Sequence, residues 1–151
     1  MTMRTASLTL LVLLAAACGG HDFEPPDRSE RVQAAAEAYD SSMFDSLTWE
    51  SDEARELAGN TVYAETCRRC HGPLGRGDTE YARERGLTVP SLVERDWDLT
   101  DPEALRRNIF VGHEDGMPIY GDAGLSVADI DAVASYILEV LRPDVDDGQG
   151  R

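Results

Sequence analysis

Cys67-Arg68-Arg69-Cys70-His71 is the stretch whose reading decides how this chain folds. Two thiols three residues apart at a helix end can each bond one vinyl group of the same porphyrin. The next residue, His71, then reaches the iron from the proximal side, so C-x-x-C-H reads as covalent haem attachment. Competing readings fail on particulars. A structural zinc site wants four ligands, usually as two pairs, and the chain has three cysteines, the third being Cys18. A thioredoxin-like motif would sit at a βα junction, yet no stretch here alternates as a strand would. A structural disulfide across so short a loop has no evident use.

Three helices are expected around this motif. The first runs from about Ser51 to Cys70, with Leu57, Thr61 and Val62 on one face and Gly59 and Tyr63 beside them. The second starts at Asp101-Pro102, an N-cap followed by proline in the first turn, and runs to Val111 with Leu105, Ile109 and Phe110 as its apolar face. The third runs from Ser126 to Leu141, where Ile130, Val133, Ala134, Ile137, Leu138 and Leu141 recur at helical spacing and Pro143 stops it. The fold class is all-α, three main helices with long loops. A core of three helices in roughly 90 residues is thin, and a large apolar body at its centre would complete it.

The N-terminus reads as an export signal. One cation, Arg4, precedes an apolar run from Leu8 to Ala17 that only Thr9 interrupts. That run is shorter than the roughly 20 residues a membrane-spanning helix needs. Leu13-Leu14-Ala15-Ala16-Ala17-Cys18-Gly19 resembles the bacterial lipobox, which implies cleavage before Cys18 and its lipidation. Ala15 stands where leucine is commonest, and plain secretion is the alternative. Lipidation on several chains would hold the protein firmly on the periplasmic side of a bacterial membrane. The expected organisation is a signal peptide over 1–17, an acidic lipidated tether over 18–52, the haem domain over 53–142 and a polar tail over 143–151. Within the tether a helix is expected from Ser29 to Tyr39, capped by Ser29 and rich in alanine. Met43, Phe44, Leu47 and Trp49 are too apolar for a pure linker and should pack on the domain.

The net charge of -15 argues against nucleic-acid binding and against electrostatic docking on anionic lipid. All the basic residues are arginine, and the charge is uneven. Residues 18–66 carry twelve acids against three arginines, and residues 96–151 thirteen against four. Residues 67–95, which contain the motif, carry six arginines (Arg68, Arg69, Arg76, Arg83, Arg85, Arg95) against four acids. These arginines either form a docking patch beside the haem or pair locally with Asp78, Glu80, Glu84 and Glu94.

A second axial ligand should lie well downstream and be a soft or nitrogenous donor. His21, His113, Met43 and Met117 are the candidates. Met117 sits in Gly116-Met117-Pro118-Ile119-Tyr120, a turn-rich loop between the second and third helices that can fold over the porphyrin face opposite His71. Trp97 could touch the haem edge or belong to the core.

The wider pattern is Gly59, Tyr63, Cys67-x-x-Cys70-His71-Gly72, Gly75-x-Gly77-Asp78, Pro90-x-Leu92, Ile109, Gly112, Met117-Pro118, Leu125-Ser126, Ile130 and Tyr136. It resembles small bacterial class I cytochromes c across about residues 53–142. The resemblance implies the cytochrome c fold around one covalent haem c, with Met117 as the axial sulfur opposite His71. It implies that Pro90 offers its carbonyl to the His71 ring N–H, and that Gly59 and Tyr63 meet Tyr136 where the terminal helices cross. It also implies one-electron transfer between a redox-protein donor and acceptor, with no bond chemistry on a substrate. Two functional alternatives follow: a permanent haem subunit of a larger membrane or dehydrogenase complex, or a gas or peroxide sensor should the Met117 bond be weak.

Overall fold

Ser51 begins the helix that leads to the motif: its side chain accepts the Ala54 N–H at 3.1 Å, and Asp52 and Glu53 follow where the positive end of the helix dipole favours acids. The structure is a computed structural model and describes residues 24–94, 100–122 and 124–142. Its helices are α1 (Arg28–Ala38), α2 (Asp52–Val62), α3 (Arg68–His71), α4 (Glu80–Glu84), α5 (Pro102–Val111) and α6 (Val127–Ser135). No strand occurs among the described residues. A π-helical turn, Tyr63–Cys67, joins α2 to α3, and a second, Tyr136–Leu141, extends α6. Asp101 and Ser126 cap α5 and α6 as the sequence predicts, with Pro102 in the first turn of α5.

The principal packing is α2 against α6, and α5 against α6 completes the core. Gly59 sits where α2 and α6 touch. A Cβ there would lie 2.2 Å from the Ala132 carbonyl oxygen and 2.6 Å from Tyr136 Cβ, so only glycine allows the approach. One turn on, Tyr63 meets Tyr136 with ring centroids 5.6 Å apart. The apolar stripe of α6 is spent inward: Ile130, Val133, Ala134, Ile137 and Leu141 are all buried. The expected face of the first helix needs correcting. Val62 is buried, but Leu57 is 68% exposed and Thr61 is exposed, its hydroxyl donating to the Leu57 carbonyl at 2.9 Å. The buried stripe is Gly59, Val62, Tyr63 and Cys67, because the helix turns its smallest residue to the crossing and its π turn shifts later residues inward.

The acidic N-terminal segment packs on this body from residue 28 onward. α1 starts at Asp27, two residues before the expected cap, because Asp27 and Glu30 form a reciprocal capping box at 2.9 Å in each direction. At the other end of α1, Tyr39 sets its ring edge-on to Phe110 of α5, centroids 5.5 Å apart. A 3₁₀ turn, Ser41–Phe44, follows and puts Phe44 into the core, with Met43 and Leu47 packed against it. The Trp49 indole N–H donates to Asp131 at 2.7 Å. Asp131, almost fully buried, also receives Arg106 Nη2 at 2.5 Å. Both charges are thereby partnered, as burial demands. No helix among the described residues is long and apolar enough to cross a membrane. The signal segment, Cys18, His21, Arg95, Trp97 and the 143–151 tail lie outside the described residues.

Candidate cofactor site

A cavity of about 500 Å³ lies between the α2–α3 end, α5 and the loop after α5. That volume is within the roughly 300–1,000 Å³ range of cofactor clefts. Cys67, Cys70 and His71 line one side and Met117 another, with Leu92, Leu105, Ile109 and Ile137 among the apolar walls. The four side chains singled out in the sequence are thus brought to one space, from positions up to fifty residues apart.

The motif side is built locally. The π turn at Tyr63–Cys67 leads directly into the motif; such turns are frequent at functional sites because they re-aim the residues that follow. Cys67 is buried and Cys70 half-buried, and neither is in a disulfide. Burial pushes the Cys67 thiol up, against the Thr66 hydroxyl, which pulls it down from 3.4 Å. After His71 the chain folds back: Gly77 N–H donates to the His71 carbonyl at 2.9 Å, Leu92 N–H to Gly75 at 2.7 Å, and the Tyr63 hydroxyl to Gly72 at 2.7 Å. That return delivers Pro90, whose carbonyl lies 3.3 Å from His71 Nδ1. A proton on Nδ1 shared with Pro90 leaves Nε2 as the nitrogen with a free lone pair. Burial holds the imidazole below its ordinary pKa, with the Pro90 carbonyl opposing, which favours the neutral form, the one that binds metal.

The opposite side is the loop from Gly112 to Tyr120. Met117 is half-buried and packs against the core cluster. The Tyr120 hydroxyl donates to the Thr66 carbonyl at 3.0 Å, tying the loop to the motif helix. Burial, then the Cys67 and Cys70 thiols, push the Tyr120 phenol up to about 12. The rival ligands are placed differently. His113 borders the cavity, but its side chain is 66% exposed and its Nδ1 lies 3.2 Å from Asp115. Met43 packs on the core and is not among the cavity's lining residues.

Near the cavity mouth, Tyr81 is sandwiched by two guanidinium groups, Arg69 at 3.9 Å and Arg85 at 3.8 Å from the ring centroid. Among the described arginines of the motif segment, Arg85 meets Glu84 at 3.9 Å and Arg83 donates to the Asp78 carbonyl, whereas Arg68, Arg69 and Arg76 have no carboxylate partner among the described residues. Sequence reading missed Arg28, Tyr120, Tyr81 and Asp131. Tyr120 had a signal, being the aromatic three residues after Met117, and so had Tyr81, four residues before Arg85; Arg28 and Asp131 act across distances that no local pattern reveals.

The donor set fits a covalent porphyrin: two thiols, a neutral imidazole and a thioether on the walls of an apolar slot. An all-helical fold with crossing terminal helices around such a slot defines the c-type cytochromes of class I. Comparison agrees. The family of cytochrome c oxidase, cbb3-type, subunit III matches residues 54–137, and the chain belongs to it. The cbb3-type cytochrome c oxidase subunit CcoP of Rhodobacter capsulatus is similar, 34% identical over 94 residues, or 58% of this chain and 30% of the relative. The chain therefore spans less than a third of that relative's length. No solved structure matches it. The cofactor of this family is haem c with its iron, and the domain is a haem electron-transfer unit.

Proposed function

We propose that the chain is an exported, lipid-anchored one-electron carrier, working through a single haem c on Cys67 and Cys70 with His71 and Met117 as axial ligands. The observation that carries this is the convergence of those four side chains on one apolar cavity. Bound there, the group supplies a reversible Fe(III)/Fe(II) couple and no more.

The protein's residues do the rest. Pro90 holds the His71 tautomer, and the hydrophobic walls exclude water, which favours the less charged ferrous state. A sulfur ligand, soft and neutral, acts in the same direction, and two filled axial positions leave no place for a substrate. The reading is therefore of a carrier and not an enzyme. Arg68 and Arg69 at the motif side would meet an acidic redox partner, on a body that is otherwise strongly acidic. Lipids on Cys18 would keep the molecule at the periplasmic face of a bacterial membrane.

The test is a pair of optical spectra on residues 19–151, exported in cells with cytochrome c maturation factors. A covalent c-type haem whose ferric form has the weak near-red band of sulfur-to-iron ligation is expected. Covalent haem without that band removes Met117; no covalent haem under working maturation removes the whole reading. The family match favours a second reading, that the domain is a permanent subunit of an oxidase-like membrane complex with its donor and acceptor alongside. Gentle purification from native membranes separates the two: a subunit co-purifies in fixed ratio with other chains, a shuttle does not.

A further inference from the structure

Arg28 opens α1 and lies 89 residues before Met117, yet its guanidinium reaches the loop that carries that methionine. Nη2 donates to the carbonyls of Met117 at 2.5 Å and His113 at 2.7 Å. Nε donates to the carbonyls of His113 and Glu114, each at 3.0 Å. Three carbonyls of a five-residue loop are thus gathered by one cation. A guanidinium suits the task, since its planar fork offers several donors in fixed directions.

Of its own the loop has a side-chain bond, Asp115 N–H to His113 Nδ1 at 3.3 Å, which does not touch Met117. Two backbone hydrogen bonds close it, His113 N–H to Met117 at 3.1 Å and Gly116 N–H to His113 at 3.2 Å. Its entry is Gly112, at φ +72°, where a Cβ would lie 2.5 Å from the Pro118 carbonyl and 2.7 Å from that of Met117. Such a return packs carbonyls close together, and their aligned negative ends call for a positive partner. The delivery of Arg28 is itself secured. The capping box fixes the start of α1, Ser29 Oγ reaches Glu114 at 3.3 Å, and Tyr39 anchors the far end on Phe110.

We propose that Arg28 is a positioning residue for the second axial ligand, holding the Met117 backbone so that its sulfur stays over the porphyrin. The N-terminal segment is then part of the cofactor site and not merely a tether. This rests on the reading of Met117 as ligand. It predicts that the sulfur–iron bond weakens when Arg28 is lost, while haem attachment and helix content do not change.

The experiment uses the full mature holoprotein, comparing wild type with Arg28→Ala, Arg28→Lys and Arg31→Ala. Arg31 is exposed on the same helix and, among the described residues, its side chain bonds only to the Asp27 cap, at 3.4 Å. Two quantities are read: the near-red ferric band against temperature, and the rate at which carbon monoxide combines with the reduced protein. Circular dichroism follows global unfolding in parallel. In Arg28→Ala the band should fade well below the unfolding temperature, and carbon monoxide should bind on the order of tenfold faster, the equivalent of one lost charge-assisted hydrogen bond. Arg28→Lys, a point cation without the fork, should recover part of the difference, and Arg31→Ala should match wild type. Should Arg28→Ala not fold, Arg28→Lys against wild type carries the same comparison. A wild-type band that Arg28→Ala and Arg28→Lys leave untouched overturns the positioning role alone. Absence of the band in wild type overturns the Met117 reading and this proposal with it.

Discussion

On the His71 side of the cavity, order comes from near neighbours in sequence. A continuous helical run ends at the motif, Gly72 N–H returns to Arg68 at 2.8 Å, Gly77 N–H to His71 at 2.9 Å, and Thr79 Oγ1 to Cys70 at 3.1 Å. On the Met117 side, the loop makes two backbone bonds within itself, Asp115 N–H reaches His113 Nδ1 at 3.3 Å and Gly121 N–H the Phe110 carbonyl at 3.0 Å, and long-range side-chain bonds add to these, Tyr120 to Thr66 and Arg28 to three carbonyls. The bonds of the first wall, that between His71 and Pro90 included, join residues fewer than twenty positions apart, whereas Arg28 and Tyr120 reach across more than fifty. Local bonds of the first kind are hard to remove one at a time; the second kind is exposed to single substitutions.

The largest effects should fall on the motif wall. Replacing both Cys67 and Cys70 by alanine should abolish covalent haem altogether, read as loss of haem stain on a denaturing gel. Retained covalent haem would break the assignment of that wall. Next is the scaffold common to both. Asp131→Ala leaves Arg106 charged and half-buried with no carboxylate partner among the described residues and frees the Trp49 indole, and should cost about 4 kcal/mol in urea unfolding. Gly59→Ala places a methyl against the Ala132 carbonyl and should cost about 3 kcal/mol, with the helix crossing forced apart. A near-neutral result at either site would mean that the α2–α6 contact adapts more freely than its geometry implies.

Smaller effects probe the loop wall. Tyr120→Phe removes the bond to Thr66 and should cost about 1 kcal/mol. It should also flatten the alkaline limb of stability. The folded-state pKa of Tyr120, about 12, is above the ordinary value of 10.0, so its contribution is whole below pH 10 and is lost as the pH rises through about 12. Burial is the main cause, so the effect survives conversion of the two thiols to thioethers. Tyr63, which burial raises further still, supplies the part of the slope that Tyr120→Phe leaves. The smallest effect is in docking: neutralising Arg68 and Arg69 should slow electron transfer to an acidic partner several-fold at low salt and not at high salt. Equal rates at all salt concentrations would assign these arginines to solubility.

The motif, both downstream N-caps and the apolar spacing of α6 were legible in the sequence, because each is a local rule with a short period. That Cys67, Cys70, His71 and Met117 share one cavity was legible as a pattern, while the approach of Pro90 to His71 followed only from the resemblance to class I cytochromes c. Leu57 misled because helical spacing alone puts it beside Thr61 and Val62. A π turn adds a residue to the helical repeat, and nothing in Tyr63-Ala64-Glu65-Thr66-Cys67 advertises it. The start of α1 at Asp27 and not Ser29 was legible in principle, since Asp-x-x-Glu is itself a capping box. The packing of Trp49 on the domain was legible, but its bond to Asp131 and the reach of Arg28 were not, since each partner lies 80 or more positions away.

The seat of Arg28 on the Met117 loop also sets a leash. On the lipid-anchored reading, Arg28 lies ten positions beyond the acylated Cys18, and ten extended residue steps reach about 35 Å at most. The fixed end of that leash is the far wall of the cofactor cavity, so the redox centre would be confined to a thin layer over the bilayer. Its search for a partner would then be a search over an area, favouring acceptors embedded in the same membrane over those diffusing beyond it.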